Sequence, residues 1–282
     1  MGDRLLSNRS VWHQNLLKGK VALITGATGF FCRAQVKAFI ASGANVAIIG
    51  RNEHDILQLY HELVSIRKDC VVLLCPNVDV RDLSSISSAV LQVIKQLGRI
   101  DFVISSPAGS FLRDFNHISS NMFNTIVSID LHGSLNTAKA CLEELRKTKG
   151  VFIINSASLH PYQIPFSLPT NMAHSGADIL CDFLHNEFGG LGICFKCLVP
   201  NYNRIYDISY DKTILNPPME IPKDIAVALI NITNSTIMVI LYGVYNKHFH
   251  INPVYMNPWS PDSSYKYNLY PVSLDLGTSA RL

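Results

Sequence analysis

From residue 20 onward, short apolar runs alternate with longer amphipathic stretches, and this alternation constrains the fold more than any other feature. The runs are VALIT (21–25), NVAII (45–49), VVLLC (71–75), DFVIS (101–105), VFIIN (151–155), CFKCLV (194–199) and IMVIL (237–241). Most are continuously apolar and rich in β-branched residues, the pattern of strands covered on both faces. The stretches between them, such as 53–68, 82–97, 121–147 and 171–188, carry apolar residues at helical spacing. Strand–helix repetition at this spacing gives βαβ units. Their right-handed crossovers build a doubly wound α/β fold with a parallel sheet of about seven strands.

Composition limits the alternatives. Of 282 residues, 48% are hydrophobic and 16% charged, which excludes a disordered chain. Lys+Arg against Asp+Glu is 24 − 21, a net +3, so no nucleic-acid surface is expected. Seven cysteines, odd in number and scattered, suit a reducing compartment. The first residues, MGDRLLSNRS, lack an apolar signal region, and Leu6 breaks the myristoylation pattern. Residues 225–244 carry no charge, but Asn231, Thr233, Asn234, Ser235 and Thr236 sit at the centre. A bilayer penalises polar groups most at that depth, so no membrane span is expected.

The first strand runs into Thr25-Gly26-Ala27-Thr28-Gly29 and then a helix. In that context glycines let backbone N–H groups approach a dinucleotide pyrophosphate, and the helix N-terminus adds positive potential. Only Gly26 and Gly29 remain of the glycine pattern; its later glycine positions read Phe30 and Cys32. An ordinary strand-to-helix turn is the alternative. The second strand ends Ile49-Gly50-Arg51-Asn52. A carboxylate here would suit the ribose 2′-OH of NAD. Arg51, with Arg33 from the loop, instead suits the 2′-phosphate of NADP. After the third strand, Asp79, beside Val80, either accepts from an adenine amino group or caps the following helix.

The segments KGKVALITGATG, IGRN, NVDVRD, IDLHGSLNTAKACLEELRKTKG, HSGADIL and LGICFKCLVP resemble a short-chain dehydrogenase/reductase. More closely, the chain resembles the fungal peroxisomal 2,4-dienoyl-CoA reductases, over about residues 18–200. The resemblance implies a Rossmann-type reductase domain over 19–251, an N-terminal extension over 1–18 and a C-terminal tail over 252–282. It implies NADPH-dependent reduction of a 2,4-dienoyl-CoA to a 3-enoyl-CoA: hydride reaches the δ carbon, an extended enolate forms, and a proton adds nearer the thioester. Gly26, Gly29, Phe30, Arg33, Arg51, Asp79, Val80, Ala108, His174 and Pro200 then lie at cofactor-binding positions.

The catalytic half departs from the usual pattern. Most short-chain enzymes use Ser, Tyr and Lys, with Tyr four residues before Lys. Here the Lys position holds His174 and the Tyr position Thr170. Loss of the Tyr matches the peroxisomal branch, where an Asp four residues past the Lys positions a water; Asp178 matches that Asp. Loss of the Lys does not match, because a neutral His supplies no fixed charge beside the nicotinamide ribose. Asp130 occupies the common Asn position, as in peroxisomal members, and Ser156 keeps a hydroxyl after the fifth strand. The candidate catalytic residues are therefore Asp178, Ser156, Asp130 and His174, with His160 or Tyr162 as alternative proton donors. The Pro-Gly motif has become Pro200-Asn201, the segment 201–221 is short for a substrate loop, and Tyr242-Gly243-Val244-Tyr245 replaces the family's VDGG.

Cys194 and Cys197 form a CxxC, but in a strand residues i and i+3 face opposite ways, so they read as core cysteines and no metal site is expected. His248-Phe-His250 lacks a third ligand nearby. The terminal Ala280-Arg281-Leu282 is a variant of the peroxisomal S-K-L address, read by an import receptor. Two functional readings stand. One is an active NADPH-dependent reductase of acyl-CoA substrates. The other is a reductase-like pseudoenzyme that binds NADPH or pairs with an active paralogue. The 121–147 and 171–188 helices are of the type that pairs short-chain reductases into dimers, so a homo-oligomer is expected.

Overall fold

The computed structural model describes residues 15–109, 113–156 and 167–198. Their six strands are β1 (Val21–Thr25), β2 (Asn45–Ile49), β3 (Val72–Cys75), β4 (Phe102–Ser105), β5 (Val151–Asn155) and β6 (Cys194–Leu198). All pair in parallel, in the order β3-β2-β1-β4-β5-β6. The doubly wound sheet expected from the alternation is thus present. The seventh apolar run, 237–241, lies outside the described residues, as do the segments 225–244 and 252–282.

The helices are α1 (Phe30–Ala41), α2 (Glu53–Ile66), α3 (Leu83–Leu97), α4 (Ser120–Val127), α5 (Gly133–Thr148) and α6 (Leu168–Phe188). Side chains fix several starts: Asn52 accepts from His54 N, Asp82 from Ser84 N and Ser119 from Met122 N. Gly98 ends α3 in the left-handed conformation at φ 78°. The single amphipathic stretch expected over 121–147 is helical throughout, but α4 and α5 are joined by a π-helical turn at Ser128–His132. Such a turn adds a residue to the helix and rotates the turns beyond it.

Every residue of β1 and β4 is buried, because the sheet is covered on both faces. One core layer packs Leu23, Val103, Phe152 and Phe195 against α3, α5 and α6. The other packs Ile24, Ile48 and Phe102 against α1, including its Phe39, and α2. Cys194 joins the second layer and Cys197 the first, so the CxxC is split across the sheet, as the strand period requires. The order reverses between β1 and β4. The crevice at their carboxyl ends is where open α/β sheets place a ligand.

Candidate active site at the sheet's carboxyl edge

The loop after β1 meets the loop after β4 at this crevice. Gly26 has φ +63°, and a Cβ there would stand 2.1 Å from the Ser106 carbonyl oxygen. Glycine is therefore required on two counts, backbone conformation and close approach. The Ser106 N–H donates to Thr25 Oγ1 at 3.3 Å and locks the two loops together. Gly29 is the N-cap of α1 and Phe30 its first residue. Cys32, at a position where the dinucleotide pattern has glycine, is buried against β1, its thiol 3.9 Å from the Thr25 carbonyl and 3.5 Å from Gln35 Oε1. Burial pushes its pKa up to about 12, so it serves as packing. Beside it Gln35 and Asn155 exchange amide hydrogen bonds of 3.0 and 2.6 Å, tying α1 to the end of β5. No local sequence pattern announces that pair, which joins residues 120 apart in the chain.

The cofactor-side residues divide. Arg51 is exposed at the end of β2, open to a phosphate. Arg33 is engaged elsewhere: its guanidinium meets Glu62 of α2 at 3.2 Å, and Lys37 meets the same carboxylate at 2.9 Å. Hence the expected Arg33–Arg51 fork is not assembled, and Glu62, 29 residues from Arg33, is what sequence reasoning missed. Asp79 accepts from the Arg81 backbone N–H and from Arg81 Nε, each at 3.0 Å. Hydrogen bonding to Arg81 holds its carboxyl below the usual range, with Arg51 adding attraction. The cap of α3 is Asp82, not Asp79, which corrects the capping alternative. Val80 is buried against Gly133, where a Cβ would lie 2.6 Å from Val80 Cγ2, and its carbonyl accepts from Asn136 Nδ2 at 2.9 Å. Ala108 is exposed at the lip of the β4 loop.

On the catalytic side, the π turn carries Asp130 inward. Asp130 Oδ1 accepts from the Gly109 N–H at 2.7 Å. Oδ2 is buried without a hydrogen-bond partner among the described residues, 3.6 Å from His174 Nε2 on α6. The backbone irregularity is satisfied locally: Ser134 Oγ donates to the Asp130 carbonyl at 2.8 Å and stands 3.1 Å from Ser105 Oγ. Burial raises the Asp130 pKa to about 7, against a lowering contribution from the Gly109 hydrogen bond. Burial alone lowers the His174 pKa to about 4. His174 is thus neutral at pH 7 and supplies no cation, in line with the reading of a histidine at the Lys position. His174 Nδ1 is also buried with no partner among the described residues.

Ser156 is buried at the end of β5, and its N–H donates to the Leu198 carbonyl at 2.8 Å. Asp178, one turn beyond His174 on α6, adjoins Cys197 of β6. The Cys197 thiol is pushed up by a hydrogen bond with Cys181, then by burial, then by the charges of Cys181 and Asp178 and a hydrogen bond that it donates to the Asp178 carboxylate. Asp178 therefore reaches toward β6 as well as sharing the helical face of His174. His160, Tyr162 and Pro200 lie outside the described residues.

A glycine-lined crevice at the switch point, an exposed arginine at the end of β2 and buried polar groups on the α4–α5 junction and α6 define a nucleotide-binding α/β protein. The sequence pattern of the short chain dehydrogenase family matches residues 20–202, and the chain belongs to that family. It is 43% identical over 190 residues to the peroxisomal 2,4-dienoyl-CoA reductase [(3E)-enoyl-CoA-producing] of Saccharomyces cerevisiae, covering 67% of this chain and 65% of that protein, just under two thirds of its length. To the rat enzyme of the same description it is 30% identical over 200 residues, covering 70% and 68%. Among solved structures, a short chain dehydrogenase from Bacillus anthracis superposes with TM-score 0.62 at 26% identity, covering 66% of this chain and 77% of that one. An alcohol dehydrogenase from Thermococcus sibiricus complexed with 5-hydroxy-NADP superposes with TM-score 0.59 at 22% identity, covering 65% and 78%, and supports the fold alone.

Proposed function

We propose that the protein is an NADPH-dependent reductase of 2,4-dienoyl-CoA that forms 3-enoyl-CoA in fatty-acid β-oxidation. The observation that carries this reading is the pair of inward carboxylates, Asp130 and Asp178, in a site without a Tyr–Lys pair. The two Asp positions and the missing Tyr resemble the peroxisomal dienoyl-CoA branch, whereas His174 at the Lys position departs from it, and similarity to the yeast reductase supports the reading. The bare Gly26 turn and the exposed Arg51 suit a dinucleotide with a 2′-phosphate. Gly26, Gly29, Val80 and Ala108 would line the cofactor and Arg51 would hold its phosphate. When bound, the nicotinamide supplies a hydride. The chain's own task is to exclude water, to hold the thioester oxygen with hydrogen bonds such as a Ser156 hydroxyl can offer, and to deliver one proton. Asp178 would orient the water that delivers it.

The second reading, a pseudoenzyme that binds NADPH or pairs with an active paralogue, is favoured by one observation. The position that holds the family's lysine presents a buried neutral imidazole. NADPH oxidation with a 2,4-dienoyl-CoA, run beside direct NADPH titration, separates the two: turnover supports the reductase, and binding without turnover supports the pseudoenzyme.

The terminal Ala280-Arg281-Leu282 would direct the chain to peroxisomes through the import receptor, and the peroxisomal relatives agree with that location. A homodimer would form through α6. Met172, Ile179 and Phe183, at 52%, 58% and 67% exposure, make an apolar stripe along that helix.

A further inference from the structure

The α4–α5 junction buries a carboxyl whose partner is a histidine and not a cation. Asp130 is 1% exposed in its side chain and His174 9%. One carboxyl oxygen is satisfied by the Gly109 N–H; the other faces His174 Nε2 at 3.6 Å and has no other partner among the described residues. An ionised carboxylate with one oxygen unsatisfied in such a place is costly. A carboxyl that keeps its proton and turns it toward Nε2 gives Oδ2 and Nε2 each other as neighbours and leaves no net charge, although Nδ1 keeps its buried N–H unpaired among the described residues. The alternative, an imidazolium beside a carboxylate, contains the same number of protons.

We propose that Asp130 is a positioning residue that shares a single proton with His174, and that this proton, where the family has a fixed lysine charge, decides whether the junction is neutral or anionic. With the proton present, the junction is electrically neutral and His174 is fixed with Nε2 toward Asp130 and its N–H on Nδ1. With the proton lost, an uncompensated anion stands at the edge of the cofactor crevice. The crevice thus accepts a polyanionic dinucleotide well in the protonated state and poorly in the anionic one. The exchange moves one proton between the pair and solvent; no other bond changes.

The surroundings agree. The elements packed on this pair are the π turn, α4, α5, α6 and the loop after β4. Burial raises the Asp130 pKa, opposed by the Gly109 hydrogen bond, and burial lowers that of His174; the ion pair that either group makes among the described residues is the one they make with each other. Other ionisable groups on these elements include Asp178 and Cys181 on α6, which engage Cys197, and His132, which lines an outer cavity with Arg81, Asn124 and Ser128.

The consequence for the cofactor rests on the NADPH reading above, so the test has two arms. The first uses the full chain without cofactor and follows the ring nitrogens of His174 by ¹⁵N NMR from pH 5 to 9. The wild type should show one coupled transition near neutrality, and Asp130→Asn should abolish it. A His174 that titrates alone near its ordinary value overturns the shared proton. The second arm measures NADPH dissociation constants by fluorescence at pH 6 and pH 8.5. The wild type should lose roughly fivefold more affinity than Asp130→Asn over that interval, as an added charge at partly screened distance predicts. His174→Lys should bind NADPH more tightly and lose the extra pH dependence. Equal pH dependence in wild type and Asp130→Asn, with NADPH bound, overturns the gating. Absence of NADPH binding at both pH values refutes the cofactor reading and this gating together, while the NMR arm still decides the shared proton.

Discussion

Asp130 Oδ2 stands 3.6 Å from His174 Nε2, and burial drives the two groups in opposite directions. Asp130 moves from 3.8 to about 7, so between those values the folded chain keeps a proton that the unfolded chain has lost. Its contribution to stability therefore declines as pH rises through that window. His174 moves from 6.5 to about 4, so the unfolded chain gains a proton first as pH falls, and the folded state loses stability on acidification. From about pH 4 to 6.5 the two slopes oppose each other. Asp130→Asn should leave a stability that rises with pH across that range, and His174→Gln one that falls toward pH 7. Each change should be on the order of a few kcal/mol. Thermal melts at half-unit pH steps would check it; two variants with parallel profiles would refute the assignment.

The second prediction concerns cofactor choice. Arg51 is exposed at the end of β2, whereas Arg33 is held by Glu62 at 3.2 Å. Charge-assisted hydrogen bonds to a phosphate contribute about 1.5–3 kcal/mol, or roughly ten- to a hundredfold in affinity. Arg51→Asp should reverse a preference for NADPH over NADH. Arg33→Ala should change the NADPH-to-NADH ratio far less and cost only about 0–1 kcal/mol of stability, as for a partly exposed ion pair. Equal binding of both cofactors by the wild type would end the 2′-phosphate assignment.

These two cases mark what the sequence carried and what it did not. All six described strands match the apolar runs to within one residue at each end, because a strand buried on both faces leaves a local signal. Gly26 was legible for the same reason: a strand-to-helix turn with close backbone contact needs it. The π turn at Ser128–His132 was not, since an extra residue in a helix hardly disturbs an apolar pattern over 27 positions. Yet that turn presents Asp130 to His174. Glu62, which occupies Arg33, and Cys197, which adjoins Asp178, come from other elements entirely. Contacts made by packing α1 on α2, or α6 on β6, have no periodicity to read.

A third prediction concerns α6. Met172, Ile179 and Phe183 are spaced seven and four residues apart, so they share one face, and all three are more than half exposed. If that face is the seam between two copies, Phe183→Asp should convert dimer to monomer. The described core should stay intact, because Phe183 lies outside both buried layers. Sedimentation or light scattering at micromolar concentration would decide; an unchanged oligomer after Phe183→Asp with Ile179→Asp would place the interface elsewhere.

The last prediction separates two roles for Asp178. One is to orient a water that protonates the extended enolate, since no Tyr–Lys pair is available to do so. The other is to pack the α6–β6 contact, where it adjoins the Cys197 thiol. Asp178→Asn keeps the shape and a hydrogen-bonding side chain but removes the ability to hold a water as a proton relay. On the first role, turnover of a 2,4-dienoyl-CoA should fall about 10²-fold or more, the usual weight of general acid–base catalysis, while NADPH affinity and melting temperature stay nearly constant. On the second role, the melting temperature should fall and the turnover of the folded fraction should persist. A Cys197→Ala variant serves as the control, because it disturbs the packing and leaves the carboxylate. If Asp178→Asn retains wild-type turnover, the proton comes from elsewhere, and His160 and Tyr162, just beyond β5 in the chain, become the residues to substitute next.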